Sequence, residues 1–355
     1  MSSASTTPIC VGILGLGRSG WNMHADALSK LPEHYAIKAV FDPDPTRRAE
    51  AETRFGCKSF DVLNDLLQED LELVIVASPS HFHTEHVVKA FETGHHVLAE
   101  KPLAGTLEEV DAMIAAGKRA GKLFSVNQNY RYKEDFRKVS EVMASGKLGQ
   151  IVQVRMSVHQ FSRRWDWQTL RRYNGGILNN HGAHVLDWML THFTDDAPEL
   201  FCQLLTTPLY AGDADSHAKV VLKPKDGPIM DAELTHCNAY GQNTWLVMGT
   251  QGSLTGTNRE LRWKYFDLAA LPPLELTTES TPDRSYNHEE LPWTEEIETL
   301  EPIPNGDLAL LYTDLFTSIR EGTAPVITAE SVRRQIALLE RCREVAHYDG
   351  AAPVL

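Results

Sequence analysis

What this sequence lacks narrows it first. No window approaches the roughly 18 uninterrupted apolar residues of a membrane-spanning helix. The apolar run after Met1–Pro8 breaks quickly into glycines and has no basic segment before it, so a secretory leader is not expected. Positive charge is scarce, with 34 Lys and Arg against 48 Asp and Glu and a formal net charge of −14. Nucleic acid and membrane surfaces are held by clustered Lys and Arg, so neither is expected as a partner. The five cysteines, Cys10, Cys57, Cys202, Cys237 and Cys342, show no Cys-x-x-Cys or Cys/His ligand spacing. Neither a disulfide framework nor a structural zinc site is suggested, and no metal is expected. Reduced thiols of this kind suit a cytoplasmic protein. There is no internal repeat and no low-complexity tract.

What is present is ample apolar content, 42% over 355 residues, which exceeds one ordinary core and predicts two domains. The first, residues 1–126, alternates strand and helix. Ile9–Leu14 is a buried-strand run, followed by Gly15-Leu16-Gly17-Arg18-Ser19-Gly20 and the helical pattern Trp21–Leu31. In that order the glycines have separate uses: Gly15 allows a tight turn, Gly17 lets backbone approach a pyrophosphate, and Gly20 lets helix pack on strand. Arg18 and Ser19 of the same turn join the candidate cofactor contacts.

The next strand, Ala36–Phe41, ends at Asp42, 22 residues beyond Gly20. An acid there accepts hydrogen bonds from an adenosine ribose and repels a 2′-phosphate, which favours NAD; Arg47 and Arg48 keep NADP open. Asp42 could instead simply start the turn before the helix Thr46–Phe55. Strand and helix readings continue at Asp61–Gln68, Leu73–Ala77, Phe82–Thr93, Val97–Ala99, Thr106–Ala120 and Leu123–Val126. This alternation predicts a parallel doubly wound sheet, a Rossmann domain. Ser78-Pro79 and His83, after the fourth strand, are candidates to line the cofactor cleft, although an ordinary turn would read the same. Glu100-Lys101-Pro102 ends the Val97–Ala99 strand at the carboxyl edge of the sheet, where ligands of open α/β folds bind. Glu100 and Lys101 are therefore cofactor-cleft candidates, and Lys101 is the first residue to suspect of chemistry.

After Asn127 the alternation stops. A helix at Glu134–Ser145 precedes strand-like runs at Ile151–Phe161, Phe201–Thr206, His217–Lys223, Met230–Cys237, Trp245–Gly249 and Gly252–Thr257. These predict an α/β domain over 127–355, built on a large, open, mostly antiparallel sheet that could serve as an oligomer interface. Residues 271–305 read as a long surface loop, and Asp307–Glu321 and Ala329–Tyr348 as helices. Within this half, Gly175-Gly176 leads a helix on which Asn180, His184 and Asp187 share one face. Just before it, residues 160–173 are aromatic and basic. Arg163, Arg164, Trp165, Trp167 and Tyr173 could stack on sugar C–H faces or pair with hydroxyls and carboxylates, and could equally be core or subunit contacts. Arg131 could enter the cleft or form a structural ion pair.

The glycine turn, the Glu100-Lys101-Pro102 strand end and Gly182-Ala183-His184 together resemble the glucose–fructose oxidoreductase / inositol dehydrogenase / rhizopine-catabolism (Gfo/Idh/MocA) family of NAD(P)-dependent oxidoreductases. The resemblance spans nearly the whole chain. It implies a Rossmann domain plus an α/β domain whose open sheet mediates homodimers or homotetramers. It also implies that Lys101 and His184, with His181 beside them, face nicotinamide and substrate, alongside an acid two positions before the glycine. That position here is Asn180, which can orient a ring but carries no charge. Chemically, His184 suits a base for a hydroxyl proton and Lys101 a partner for the developing alkoxide, with Asp187 a possible substitute for the missing acid. The expected activity is hydride transfer between nicotinamide and a secondary alcohol or ketone of a sugar, sugar acid or cyclic polyol. The alternatives are an NAD-dependent glycoside hydrolase with a transient redox step and a non-catalytic NAD- and sugar-binding regulator.

Overall fold

The computed structural model describes residues 7–279, 281, 284–303 and 307–348. Six strands form the first sheet: β1 (Ile9–Leu14), β2 (Tyr35–Phe41), β3 (Lys58–Phe60), β4 (Leu73–Val76), β5 (His96–Ala99) and β6 (Phe124–Val126). They pair in parallel in the order β3-β2-β1-β4-β5-β6. β4 and β6 are buried throughout, as a sheet covered on both faces demands. The order reverses direction between β1 and β4. Ligands of such sheets bind in the crevice at that point, beyond the carboxyl ends of the strands.

Local chemistry sets the helices between them. α1 (Asp26–Ser29) is preceded by a π-helical turn, Gly20–Ala25, so the long regular helix expected over 21–31 is broken at its start. α2 (Pro45–Phe55) has Pro45 in its first turn, an Asp44 cap accepting from Thr46 N–H, and Gly56 at φ 63° to end it. α3 (Leu63–Leu66) is one turn, and α4 (His83–Glu92) follows β4. α5 (Leu107–Ala120) carries a capping box between Thr106 and Glu109 and stops at Gly121, φ 62°.

α6 (Glu134–Ala144) leads into the second sheet: β7 (Ile151–His159), β8 (Glu199–Leu205), β9 (His217–Lys223), β10 (Ile229–Thr235), β11 (Trp245–Gly249), β12 (Gly252–Gly256), β13 (Glu260–Tyr265) and β14 (Thr294–Thr299). Their order is β14-β13-β12-β11-β7-β10-β9-β8. Every pairing is antiparallel except that of β7 with β10. The sheet is thus open and mostly antiparallel, as expected. Two of its strands were not legible beforehand. β13 was not singled out, and the stretch read as a loop over 271–305 contains β14, whose Glu-rich sequence hides a strand that lies at the sheet edge. Residues 280, 282, 283, 304 and 305 of that stretch lie outside the described residues. One face packs on helices, with the Trp245 ring set edge-on against Phe136 and Trp188 at centroid distances of 4.9 Å.

α7 (Ala183–Met189) crosses behind β10, and two last helices, α8 (Leu308–Glu321) and α9 (Ala329–Val345), turn back to the first sheet. The Tyr35 hydroxyl donates to the Tyr312 carbonyl at 2.7 Å, and Arg320 pairs with Glu72. On α9, Arg333 makes a two-pronged pair with Asp111 of α5, and Glu340 accepts from Leu107 N–H at 2.8 Å. Among the described residues no helix is long and apolar enough to cross a membrane.

Candidate active site

The glycine turn has the shape its sequence demands. Gly15 sits at φ 92°, a conformation other residues resist, and a Cβ added there would meet the Ala77 carbonyl oxygen at 2.8 Å. A Cβ on Gly20 would collide with the Gly15 carbonyl oxygen. At Gly17 a Cβ would meet nothing within 4 Å, so its backbone borders open space at the crevice. These are the features a dinucleotide pyrophosphate needs, and the residues present fit that group. Arg18 beside them is exposed and Ser19 half-buried.

Asp42 is buried at the end of β2, where it also fastens the turn. One carboxylate oxygen accepts from Leu16 N–H at 2.7 Å, the other from Asp44 N–H at 2.9 Å, and the Arg47 guanidinium lies 3.6 Å away. Arg48 donates to the carbonyls of Asp42 and Pro43, while Arg47 is half exposed. Of the two arginines, Arg47 is the one whose charge remains at the surface.

At the end of β5 the chain divides its charges. Glu100 is buried and turned away from the cleft, accepting from Asn127 at 2.7 Å and from its neighbour's N–H at 3.1 Å, with His24 Nε2 at 2.8 Å. Burial alone would raise this carboxyl; the bond and charge of His24, with Lys101 and Asn127, pull it down to about 2. His24 continues to the Tyr312 hydroxyl on α8 at 2.7 Å. Lys101 points the other way, across the cleft. Its ammonium donates to the Asn180 side-chain oxygen at 3.0 Å. Burial, with Arg18 and Arg164, lowers the ammonium below its ordinary range, and Glu100 opposes them.

His184 lies beneath the same cleft. Its ring stacks on Tyr130 with centroids 3.8 Å apart and planes 8° from parallel. Its Nδ1 is 3.0 Å from Gln128 Oε1. The Gln128 amide nitrogen is directed to the Ala183 carbonyl at 3.1 Å, which fixes the amide orientation and makes His184 Nδ1 the donor. The neutral ring therefore keeps an unprotonated Nε2. Burial, then Lys101, His181 and Lys133, holds the imidazole well below its usual value. His181 is similarly pushed down to about 3 by burial and by Lys101, His236, Arg164 and Lys133. The segment that delivers them, Leu178–Gly182, is a π-helical turn running into α7. Such turns recur at functional sites because they shift the phase of a helix.

Residues 9–128 match the family described as "Oxidoreductase family, NAD-binding Rossmann fold" (GFO_IDH_MocA), and residues 136–255 match the GFO/IDH/MocA C-terminal domain. The chain belongs to the Gfo/Idh/MocA family. It is similar to the NADP(+)-dependent scyllo-inositol 2-dehydrogenase IolW of Bacillus subtilis, 27% identical over 95% of this chain and 93% of that one. An uncharacterised oxidoreductase of Schizosaccharomyces pombe is 30% identical over 191 residues, and the match spans about half of its length, 52% of each chain. Among solved structures, an NAD-binding protein from Listeria innocua superposes with a TM-score of 0.80 at 23% identity, covering 97% of this chain and 98% of that one.

As a Gfo/Idh/MocA oxidoreductase the chain departs from several residue-level expectations. Asp187 does not partner His184; it takes both prongs of Arg131 at 2.7 Å. Arg131, also bonded to Ser331, is thus an internal ion pair and not a group free to meet substrate. His83 is buried between two backbone segments, with Ser78 carbonyl at 2.9 Å from Nε2 and Pro102 carbonyl at 3.0 Å from Nδ1, so it braces the ends of β4 and β5. Ser78 Oγ bonds to His86 at 2.9 Å. Pro79 leads from there into α4. Of the aromatic loop, Tyr173 reaches His81 of the first domain at 4.7 Å, while Arg163, Trp165 and Trp167 are exposed. Arg164 is held by Asp166 and Gln168. Gln128, Tyr130 and His24 were not anticipated. The run Asn127-Gln128-Asn129 at the end of β6 was the available signal, three amides at the carboxyl edge of the sheet. Among the described residues no group of three or more His, Cys, Asp or Glu is placed to hold a metal.

Proposed function

We propose that this chain uses NAD to oxidise a secondary alcohol of a sugar, sugar acid or cyclic polyol, with the reverse reduction available by the same groups. The observation that carries this reading is the pairing of opposed roles across one cleft: an ammonium at Lys101, after the end of β5, and an imidazole with an unprotonated Nε2 at His184 of α7. NAD when bound supplies the hydride acceptor. His184 Nε2 takes the hydroxyl proton, and Gln128 holds the ring in the tautomer that allows it. Lys101 donates to the oxygen as negative charge develops, and Asn180 aims the ammonium. Gly15, Gly17, Gly20, Arg18 and Ser19 hold the phosphates, and Asp42 faces the ribose; Arg47 is the group that would accommodate NADP. Tyr173, Trp165 and Trp167 form the substrate side, with His181 beside the reacting carbon.

The cofactor domain is read as residues 1–126 and the substrate domain as 127–355, a division supported by the end of β6 at Val126. A homodimer or homotetramer through the second sheet is supported by its outer face. Phe201 and Ile229 are exposed there near the Lys219–Asp231 ion pair, and Ile297 is exposed on β14 at the opposite edge of the sheet. A cytoplasmic setting is supported by five free cysteines.

The test is the absorbance of reduced nicotinamide with NAD or NADP across sugars, sugar acids and inositols, with Lys101→Ala as control. Reduction that vanishes in the variant is expected. Cofactor binding with no reduction for any member of the panel overturns the reading.

A further inference from the structure

The His184 ring belongs to a three-layer stack. Tyr130 covers one of its faces, with centroids 3.8 Å apart and planes 8° from parallel. The Lys133 ammonium sits 3.6 Å from the same Tyr130 centroid. Two groups cannot share one face of a ring at those distances, so the ammonium lies on the face turned away from His184. Phe136 braces the middle layer edge-on, its centroid 5.3 Å from that of Tyr130 and its plane inclined by 70°. Gln128 fixes the rotation of the imidazole from another side, with Oε1 3.0 Å from Nδ1.

The face of an aromatic ring attracts cations, so stacking on Tyr130 alone would favour an imidazolium at His184. With Lys133 on the far face, that attraction is already engaged by an ammonium, and a proton added to His184 meets like charge across a single ring. At an effective protein dielectric of about 20, a unit charge at that range changes a proton equilibrium by on the order of tenfold. The other groups around His184 are accounted for. Lys101 faces it from the end of β5 and acts in the same direction, itself opposed by Glu100. His181 is held neutral by burial, and Asp187 is taken by Arg131. Asp135 of α6, which accepts from Trp245 Nε1 at 2.9 Å, feels the Lys133 charge and offsets part of it.

Resting on the oxidoreductase reading above, we propose that Lys133, acting through Tyr130, is a positioning residue for His184: the ammonium–phenol–imidazole stack orients the ring and keeps Nε2 free to accept the substrate hydroxyl proton into the mildly acidic range. A Tyr130 face without the lysine behind it would hold the ring as flat but let it protonate there.

The experiment follows the His184 ring by NMR in the full chain labelled at histidine, titrated from pH 8 to 5, and measures kcat/KM for NAD reduction over the same range. Lys133→Gln is expected to raise the midpoint of the ring by about one unit and to carry the rising limb of kcat/KM with it. Lys133→Met, which keeps the aliphatic packing without the charge, should match it. Lys133→Arg, which keeps a stacked cation, and Tyr130→Phe, which keeps the ring, should retain the original midpoint. A His184 ring that stays neutral in both uncharged variants to the same pH as in the original, or that rises equally in Lys133→Arg, overturns the inference whether or not turnover is seen. A raised midpoint with an unmoved rate limb, or with no turnover at all, upholds the control of His184 by the stack and sinks the reading of His184 as the base instead.

Discussion

The side-chain carbonyl of Asn180 receives the Lys101 ammonium at 3.0 Å, so the cation proposed to meet the reacting oxygen rests on a neutral partner. Asn180→Asp would place a negative charge between Lys101 and His184. That charge favours the imidazolium and raises the His184 pKa, moving the rising limb of the pH–rate profile to higher pH by about one unit. A variant profile that overlays the original would contradict this placement of roles.

Gln128 acts on His184 from behind. Replacing it with Leu removes the acceptor that fixes the Nδ1–H tautomer, and kcat is expected to fall about a hundredfold. NADH affinity, read by fluorescence, should stay within twofold. Gln128→Glu should recover much of the rate with the rising limb shifted to higher pH, a pattern that mere loss of packing does not produce.

Asp42 fastens the glycine turn and is proposed to serve the cofactor as well. Asp42→Ala removes the acceptor for Leu16 N–H, and the Kd for NAD is expected to rise about tenfold. The Kd for NADP should rise less, because a repelling charge is lost as well. Parallel titrations with the two cofactors check this, and an equal loss for both would reduce Asp42 to a structural clamp.

Stability should fall on mild acidification. Burial holds His86, His96 and His192 at about 4, below their ordinary value of 6.5. From pH 6.5 downward the unfolded chain binds protons that the folded chain refuses, so stability is lost as pH falls toward 4. Tm is expected to drop by at least ~5 °C between pH 7.5 and 5.0. A flat melting profile over that interval would show these rings to be protonated in the folded state.

Glu100 anchors a buried chain from β5 through His24 to Tyr312. Glu100→Gln should cost about 3 kcal/mol in denaturant unfolding, since breaking a buried pair leaves its partner uncompensated. Glu100 is held at about 2 against an ordinary 4.5, so its contribution is lost as pH falls through that window. The variant should therefore show a shallower decline below pH 4.5. An identical acid limb would place the ion pair outside the stability balance.

The first sheet was legible because its signals are local. Ile9–Leu14, the glycine turn and the run of capped helices each carry their own chemistry within a dozen residues. Within the candidate site, Lys101 after its apolar run at a strand end and His184 were legible as polar groups that come together. Its supporting partners were not, because they are set by contacts distant in sequence: Gln128 meets His184 across 56 positions and His24 meets Tyr312 across 288. Asp187 was misjudged for a related reason. A regular α-helical face was assumed through residues 180–187, whereas the π turn at Leu178–Gly182 rotates that face and leaves Asp187 to Arg131. β14 escaped because an edge strand rich in Glu has no apolar alternation to read.

The bonds from α8 and α9 back to β1–β5 also bear on how the chain matures at the ribosome. Tyr312, Arg320 and Arg333 close over groups synthesised more than two hundred residues earlier. The nascent first domain can collapse as it emerges, yet His24, Glu72 and Asp111 wait for partners made more than two hundred residues later. Completion of the dinucleotide domain is thereby deferred until these two helices have been made, and a product terminated before them would present its unpaired groups to chaperones and proteases.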